Sequence, residues 1–203
     1  MSLIAAHGKA DRVGWQEEIE KLDAALYAAV AATPTPSLDR WFRRLSRAAD
    51  HSKLWVGGAA ALATAGGRPG QRAAVNGLAS VAVSSAVVNM LLKPLSRRRR
   101  PDRRTNKVAS SRLVAMPRST SFPSGHAASA FAFATGVGIA LPRAGLPLTT
   151  TAALVAYSRI HTGVHYPSDA IAGSVIGAGL APTVVAALDR RRSMRAEREA
   201  SAS

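Results

Sequence analysis

TSFPSGHAASAFAFATG, residues 120–136, is the stretch on which the fold turns. From Ala127 onward it is small and apolar, and it predicts a helix. Ala, Gly and Ser let such a helix approach its neighbours closely inside a membrane. Yet it opens with Pro123-Ser124-Gly125-His126. At a helix start, free backbone N–H groups and the positive end of the helix dipole favour an anion. The ring beside them titrates near neutral pH. Taken alone, a His at this position is more often a cap or a structural hydrogen-bonding residue, so the rest of the chain has to decide.

Composition narrows the classes. The chain has 203 residues, a formal net charge of +15 and no cysteine, so disulfide and thiolate chemistry are excluded. Apolar residues make up 47%, but the positive charge is concentrated in connecting segments and in the tail, leaving several stretches almost uncharged. That distribution suits a small polytopic membrane protein better than a nucleic-acid binder. The first residues, MSLIAAHGKADRVG, lack a continuous apolar stretch, so targeting is expected to come from the first membrane span. No internal repeat is visible.

Outward from the opening stretch, the expected architecture is an all-α membrane bundle with about five spans, possible up to six, preceded by an amphipathic interfacial helix. Residues 15–32 predict a helix that is polar first and apolar last, and TPTPS breaks it. Residues 37–52 predict a second helix, with Leu38, Trp41, Phe42 and Leu45 opposed to Arg40, Arg43, Arg44 and Arg47. Such a helix lies on a membrane surface or docks on a protein core. The candidate spans are 54–67, 73–92, 126–142, 146–161 and 170–188, joined by GGRPGQ, a long basic loop, PRAGLP and HTGVHYPSD. The expected division is 1–36 as an N-terminal helix and linker, 37–188 as the membrane domain, and 189–203 as a solvated, disordered basic tail.

Alternation of spans then gathers distant residues. If each span crosses, the end of the second, the start of the third, the end of the fourth and the start of the fifth share one face. That face receives Lys93 and Arg100, then Ser124, Gly125 and His126, then Arg159, His165 and Asp169. Arg offers a planar fork to phosphate oxygens and Lys a mobile point charge. The two histidines can move protons or attack near neutral pH. Asp169, four residues after His165, can orient that ring and stabilise its charged form. Cations, a nucleophile or base, an acid and an orienting carboxylate together describe a phosphoryl-transfer site.

Three segments carry a family resemblance: KPLSRRRRP at 93–101, PSGH at 123–126 and SRIHTGVHYPSD at 158–169. They resemble the three motifs of the type 2 phosphatidic acid phosphatase family, with every defining position filled in the same order and spacing. The resemblance covers about residues 37–188. It implies that His165 is the nucleophile and forms a transient phosphohistidine, that Asp169 hydrogen-bonds it, and that His126 protonates the leaving group and later activates water. Lys93, Arg100, Arg159, Ser124 and the Gly125 amide would bind the phosphoryl oxygens. It implies no metal and no cofactor, and these sites offer no carboxylate cluster for Mg²⁺.

Other residues in these segments read as structural. His161 lies outside the motif pattern. Arg97, Arg98, Arg99, Arg103 and Arg104 read as a solvated or headgroup-facing run. Trp41, Trp55 and Tyr166 read as interface anchors or packing. A phosphate site at a membrane face suits a phosphorylated lipid substrate within membrane lipid, and no nucleic acid. Candidates are a polyprenyl diphosphate, phosphatidic acid, phosphatidylglycerol phosphate or a polyprenyl-phosphoryl phosphoribose. Vanadium-dependent haloperoxidases share the motifs and form one alternative; a non-enzymatic polybasic membrane adaptor forms another. The expected location is the cell membrane, multi-pass. Relatives in the family usually face the site away from the cytoplasm, which would leave the basic tail inside as positive-inside bias prefers, although the loop at 93–118 is still more basic.

Overall fold

A computed structural model describes residues 2–202, with side chains from Gly14 onward. Its described residues form helices and loops only. Helix α1 runs Ser2–Ala32 and α2 runs Pro36–Ala48; a short 3-10 turn, Asp50–Ser52, leads into α3, Lys53–Ala65. Helix α4, Gly67–Ala86, continues through a π turn, Val87–Leu92, into a last α turn, Lys93–Leu95. A long loop follows, then α5 (Gly125–Ala140), α6 (Pro142–His161) and α7 (Pro167–Ala202).

Helix α5 is the central helix, packed along α4, α6 and α7. Its composition makes this possible. Ala127, Ala128, Ala130, Ala132 and Ala134 are all buried and present almost no bulk. The facing helix supplies glycine at the closest contacts: a Cβ on Gly177 would lie 2.0 Å from the Ala128 carbonyl oxygen, and one on Gly173 would lie 2.3 Å from that of Ser124. No larger residue fits there without separating α5 from α7. Since α7 carries Asp169 and α5 carries His126, this contact also sets the spacing of the site. Trp55 and Phe133, with ring centroids 5.3 Å apart, fill the space between α3 and α5. Trp55 is therefore packing rather than an interface anchor.

Helix α4 with its extension (Gly67–Leu95) and α7 are the two helices, among the described residues, that are long and apolar enough to cross a membrane. Helix α5 is apolar but has only 16 residues. The five candidate spans correspond in order to helices α3 to α7, of which, among the described residues, two have the length to cross. PRAGLP, expected as a connection, is instead the start of α6, and a single residue, Leu141, separates α5 from α6. Proline at the first helical position has its fixed φ already suited to the helix, so it initiates α6. The tail expected to be disordered continues α7 as exposed helix to Ala202. Its Arg, Ala, Glu and Met residues favour helix, and no Gly or Pro follows Pro182.

The N-terminal helices are fastened to this bundle. On α1, Asp23 and Tyr27 are buried against the start of α7 and the loop, while Trp15, Ile19, Leu22 and Leu26 are exposed. On α2, Phe42 packs on Tyr157 and His161 of α6, while Leu38 and Trp41 remain exposed. Asp39 of α2 accepts hydrogen bonds from Thr35, Ser111 and Arg112 and contacts His161 Nε2 at 3.0 Å. Burial alone would raise the Asp39 carboxyl, but these donors outweigh it and hold it down at about 2. His161 is thus structural, as its place outside the motifs predicts.

Candidate phosphate site

The helix ends converge as alternation predicts. The Ser124 N–H donates to the Asp169 carbonyl at 2.9 Å, joining the start of α5 to the start of α7. Arg100 Nη1 lies 3.2 Å from His165 Nε2, joining the loop to the α6–α7 connection. Arg100 Nη2 and Lys93 Nζ both reach Ser119 Oγ, each at 3.2 Å. His126 Nε2 and Arg159 Nη1 both approach Asp50 Oδ1, at 2.9 and 3.6 Å. Every residue expected at the site lies on or beside this network.

His165 is buried, its side chain 2% exposed. Burial pushes its imidazole down to about 3, against the raising influence of Asp169, so the ring is neutral at physiological pH. An Arg N–H can only donate, so Nε2 opposite Arg100 presents its lone pair. The single ring proton then sits on Nδ1, facing Asp169 Oδ2. That tautomer leaves Nε2 with an open lone pair, facing a guanidinium.

Asp169 stands beside the other nitrogen of the ring at ion-pair distance. Its Oδ2 is 3.4 Å from His165 Nδ1, and Nδ1 makes no hydrogen bond. The carboxylate is instead held by Ser121 Oγ, the Tyr166 N–H and Arg98 Nη1. Arg98 in turn bonds Asp23 of α1 and lies 4.6 Å from the centre of the Tyr166 ring. Two members of the basic run are therefore not the solvated residues expected. Arg98 is paired with Asp169, and Arg103 donates to the carbonyls of Gly163 and Val114. Arg97, Arg99 and Arg104 are exposed, as expected.

Ser124 is buried and caps its own helix, accepting from the Ala127 N–H at 3.4 Å. Its hydroxyl thus shapes the first turn of α5. At Gly125 a Cβ would stand 3.6 Å from Lys93 Nζ, in ordinary contact, so hydrogen there keeps space open beside the ammonium. Arg159 is 1% exposed, and its Nε is buried without a partner. A buried donor left unpaired is costly, and an anion would satisfy it.

Asp50 was not legible in the motifs. It sits in the turn before α3, followed by two non-glycine residues with left-handed backbone, His51 (φ 56°) and Ser52 (φ 59°). Such residues cost roughly 1–2 kcal/mol each and cluster at functional sites. The hydrogen bond with His126 holds the Asp50 carboxyl below its ordinary range. Among the described residues, no three His, Asp or Glu side chains converge as metal ligands do.

The sequence model of the PAP2 superfamily matches residues 73–193. The chain belongs to the PAP2 superfamily. Within it, a decaprenylphosphoryl-5-phosphoribose phosphatase of Mycolicibacterium smegmatis is 36% identical over 159 residues, covering 74% of this chain and 80% of that one. The protein of the same name from Mycobacterium tuberculosis is 44% identical over 92 residues, so this PAP2 chain spans about half (48%) of its length. The crystal structure of a transmembrane PAP2-type phosphatidylglycerolphosphate phosphatase from Bacillus subtilis shares the fold, with a TM-score of 0.65 at 22% identity over 86% of this chain and 87% of that one.

Proposed function

We propose that the chain is an integral-membrane, metal-independent lipid phosphatase working through a phosphohistidine. The contacts from His165 through Arg100 and Ser119 to Lys93, whose ammonium lies beside Gly125, with His126 and Arg159 sharing Asp50, carry this assignment. They support placing one phosphoryl group among three cations and two imidazoles.

In the first step His165 Nε2 attacks phosphorus, and the N–P bond forms as the bond from phosphorus to the leaving oxygen breaks. His126 gives its proton to that oxygen. Lys93, Arg100, Arg159 and the first-turn amides of α5 stabilise the equatorial oxygens. In the second step His126 takes a proton from water, whose oxygen displaces His165 and releases phosphate. Asp169, held by Arg98 and Ser121, stabilises the His165 ring as charge develops on it. Asp50 shares its donors with the incoming anion, so phosphate and carboxylate compete for Arg159.

A phosphorylated lipid is the proposed substrate, and the two helices long enough to span support membrane residence. Among lipids, a polyprenyl-phosphoryl phosphoribose is favoured by the name of the M. smegmatis relative. The active end is proposed to face away from the cytoplasm. Single cysteines at Ser110 and Ser201 in intact cells test that: labelling of the first alone supports it, and labelling of the second alone reverses it. Purified protein with EDTA, given each candidate lipid in turn, should release phosphate from at least one. No release from any of them would overturn the function.

A further inference from the structure

A cavity of about 170 Å³ adjoins the site on the side of His126. Its wall includes His126, Lys93, Gly125, Ser85, Asn89 and Ser129. Two irregular backbone segments border it. One is the π turn, which carries Asn89; such turns recur at functional sites. The other is the left-handed pair His51 and Ser52. The wall is polar and partly exposed, at the end of a small-residue helix bundle. Ser85 and Ser129 share a hydrogen bond at 3.1 Å, and Asn89 Nδ2 donates to the Ser85 carbonyl at 2.9 Å. With its amide nitrogen engaged, Asn89 still has its carbonyl oxygen to offer, near Gly125 and Lys93.

We propose that this cavity receives the leaving group, and that its polar wall selects an alcohol bearing further free hydroxyls, such as a pentose, over a diacylglycerol. This deepens the lipid phosphatase function and rests on it. His126 lines the cavity, so the oxygen it protonates departs into that space. A diacylglycerol brings no hydroxyl beyond the one released, and would leave Asn89 Oδ1 without a substrate donor. A sugar hydroxyl donates to Asn89 Oδ1 and accepts from the serines. A site built to hydrogen-bond a substrate hydroxyl discriminates strongly against an analogue lacking it, because its own polar groups are then stranded. Beyond the cavity, Met90 and Leu91 continue the π turn as exposed apolar side chains and offer the lipid chain a path outward.

The test uses purified full-length protein and two lipids, a polyprenyl-phosphoryl phosphoribose and phosphatidic acid. The wild type should favour the sugar lipid in kcat/KM. Asn89→Leu should lower that value about tenfold, the loss of one good hydrogen bond, and leave phosphatidic acid turnover within about twofold. Asn89→Ser, which keeps a polar group, should recover most of the loss, and all three proteins should melt at the same temperature in detergent. A wild type preferring phosphatidic acid, or equal loss on both lipids in Asn89→Leu, would overturn the subsite while leaving the phosphatase standing. No phosphate release from either lipid by the wild type would overturn both.

Discussion

The two imidazoles of the site occupy unlike surroundings. His165 is enclosed, its side chain 2% exposed, with Arg100 on one nitrogen and a carboxylate beyond the other. His126 is 23% exposed, borders a cavity, and bonds an aspartate whose own side chain is 37% exposed. Burial disfavours a charged ring, while an adjacent carboxylate favours it. The enclosed histidine is therefore kept neutral with its lone pair directed at Arg100, as the proposed nucleophile needs. The more exposed one stands beside the cavity, placed to meet a departing group. The difference comes from where each sits: His165 in the tight α6–α7 connection, His126 on the first turn of α5 at the edge of the bundle.

Four changes would break or sharpen that contrast. The largest effect is expected at the enclosed ring. His165→Ala should reduce phosphate release by at least about a thousandfold with the protein still folded and in the membrane, as loss of a nucleophile does. Undiminished turnover would remove the distinction. Next, Arg98→Ala strips the buried Asp169 of its charged partner. Detergent melting should show a loss equivalent to about 3 kcal/mol, with partial recovery in Arg98→Lys. A melting curve like the wild type's would mean the enclosure does not depend on that pair.

On the open side the effect should be smaller. Asp50→Asn keeps the shape but removes the charge beside His126, and kcat should fall about tenfold with KM changed less. An increase in kcat would show that Asp50 acts chiefly as a competitor of phosphate for Arg159. The smallest effect is in pH. With His165 held down at about 3, its ring should show no titration by NMR between about pH 5 and 8. The sign for stability follows: below roughly pH 6.5 the unfolded chain takes up a proton that folded His165 refuses. That contribution to stability is complete above the unfolded value and is lost as pH falls toward about 3. A ring titrating near neutrality would contradict the enclosed state.

Much of this site was readable before any coordinates. Alternation of apolar stretches was enough to bring residues 93–100, 124–126 and 159–169 to one end, because helix direction reverses at each short connection. Asp50 was missed for lack of a motif, although the same alternation places the start of the first apolar helix at that end. A carboxylate at that boundary was the available signal. Arg98 could not be told from its neighbours, since adjacent arginines look alike until a fold supplies Asp23 and Asp169 to one of them. The π turn left no trace in sequence, because its Val, Asn, Met and Leu residues suit an ordinary helix equally well. PRAGLP misled because proline marks both the end of one helix and the first turn of the next.

The most direct measurement is to quench the purified protein during turnover, under alkaline conditions that preserve phosphohistidine, and to map the modified peptide by mass spectrometry. Phosphate on His165 is the expected result. A protein that releases phosphate while carrying the label on His126, or on no residue at all, would contradict the assignment of the enclosed imidazole as nucleophile.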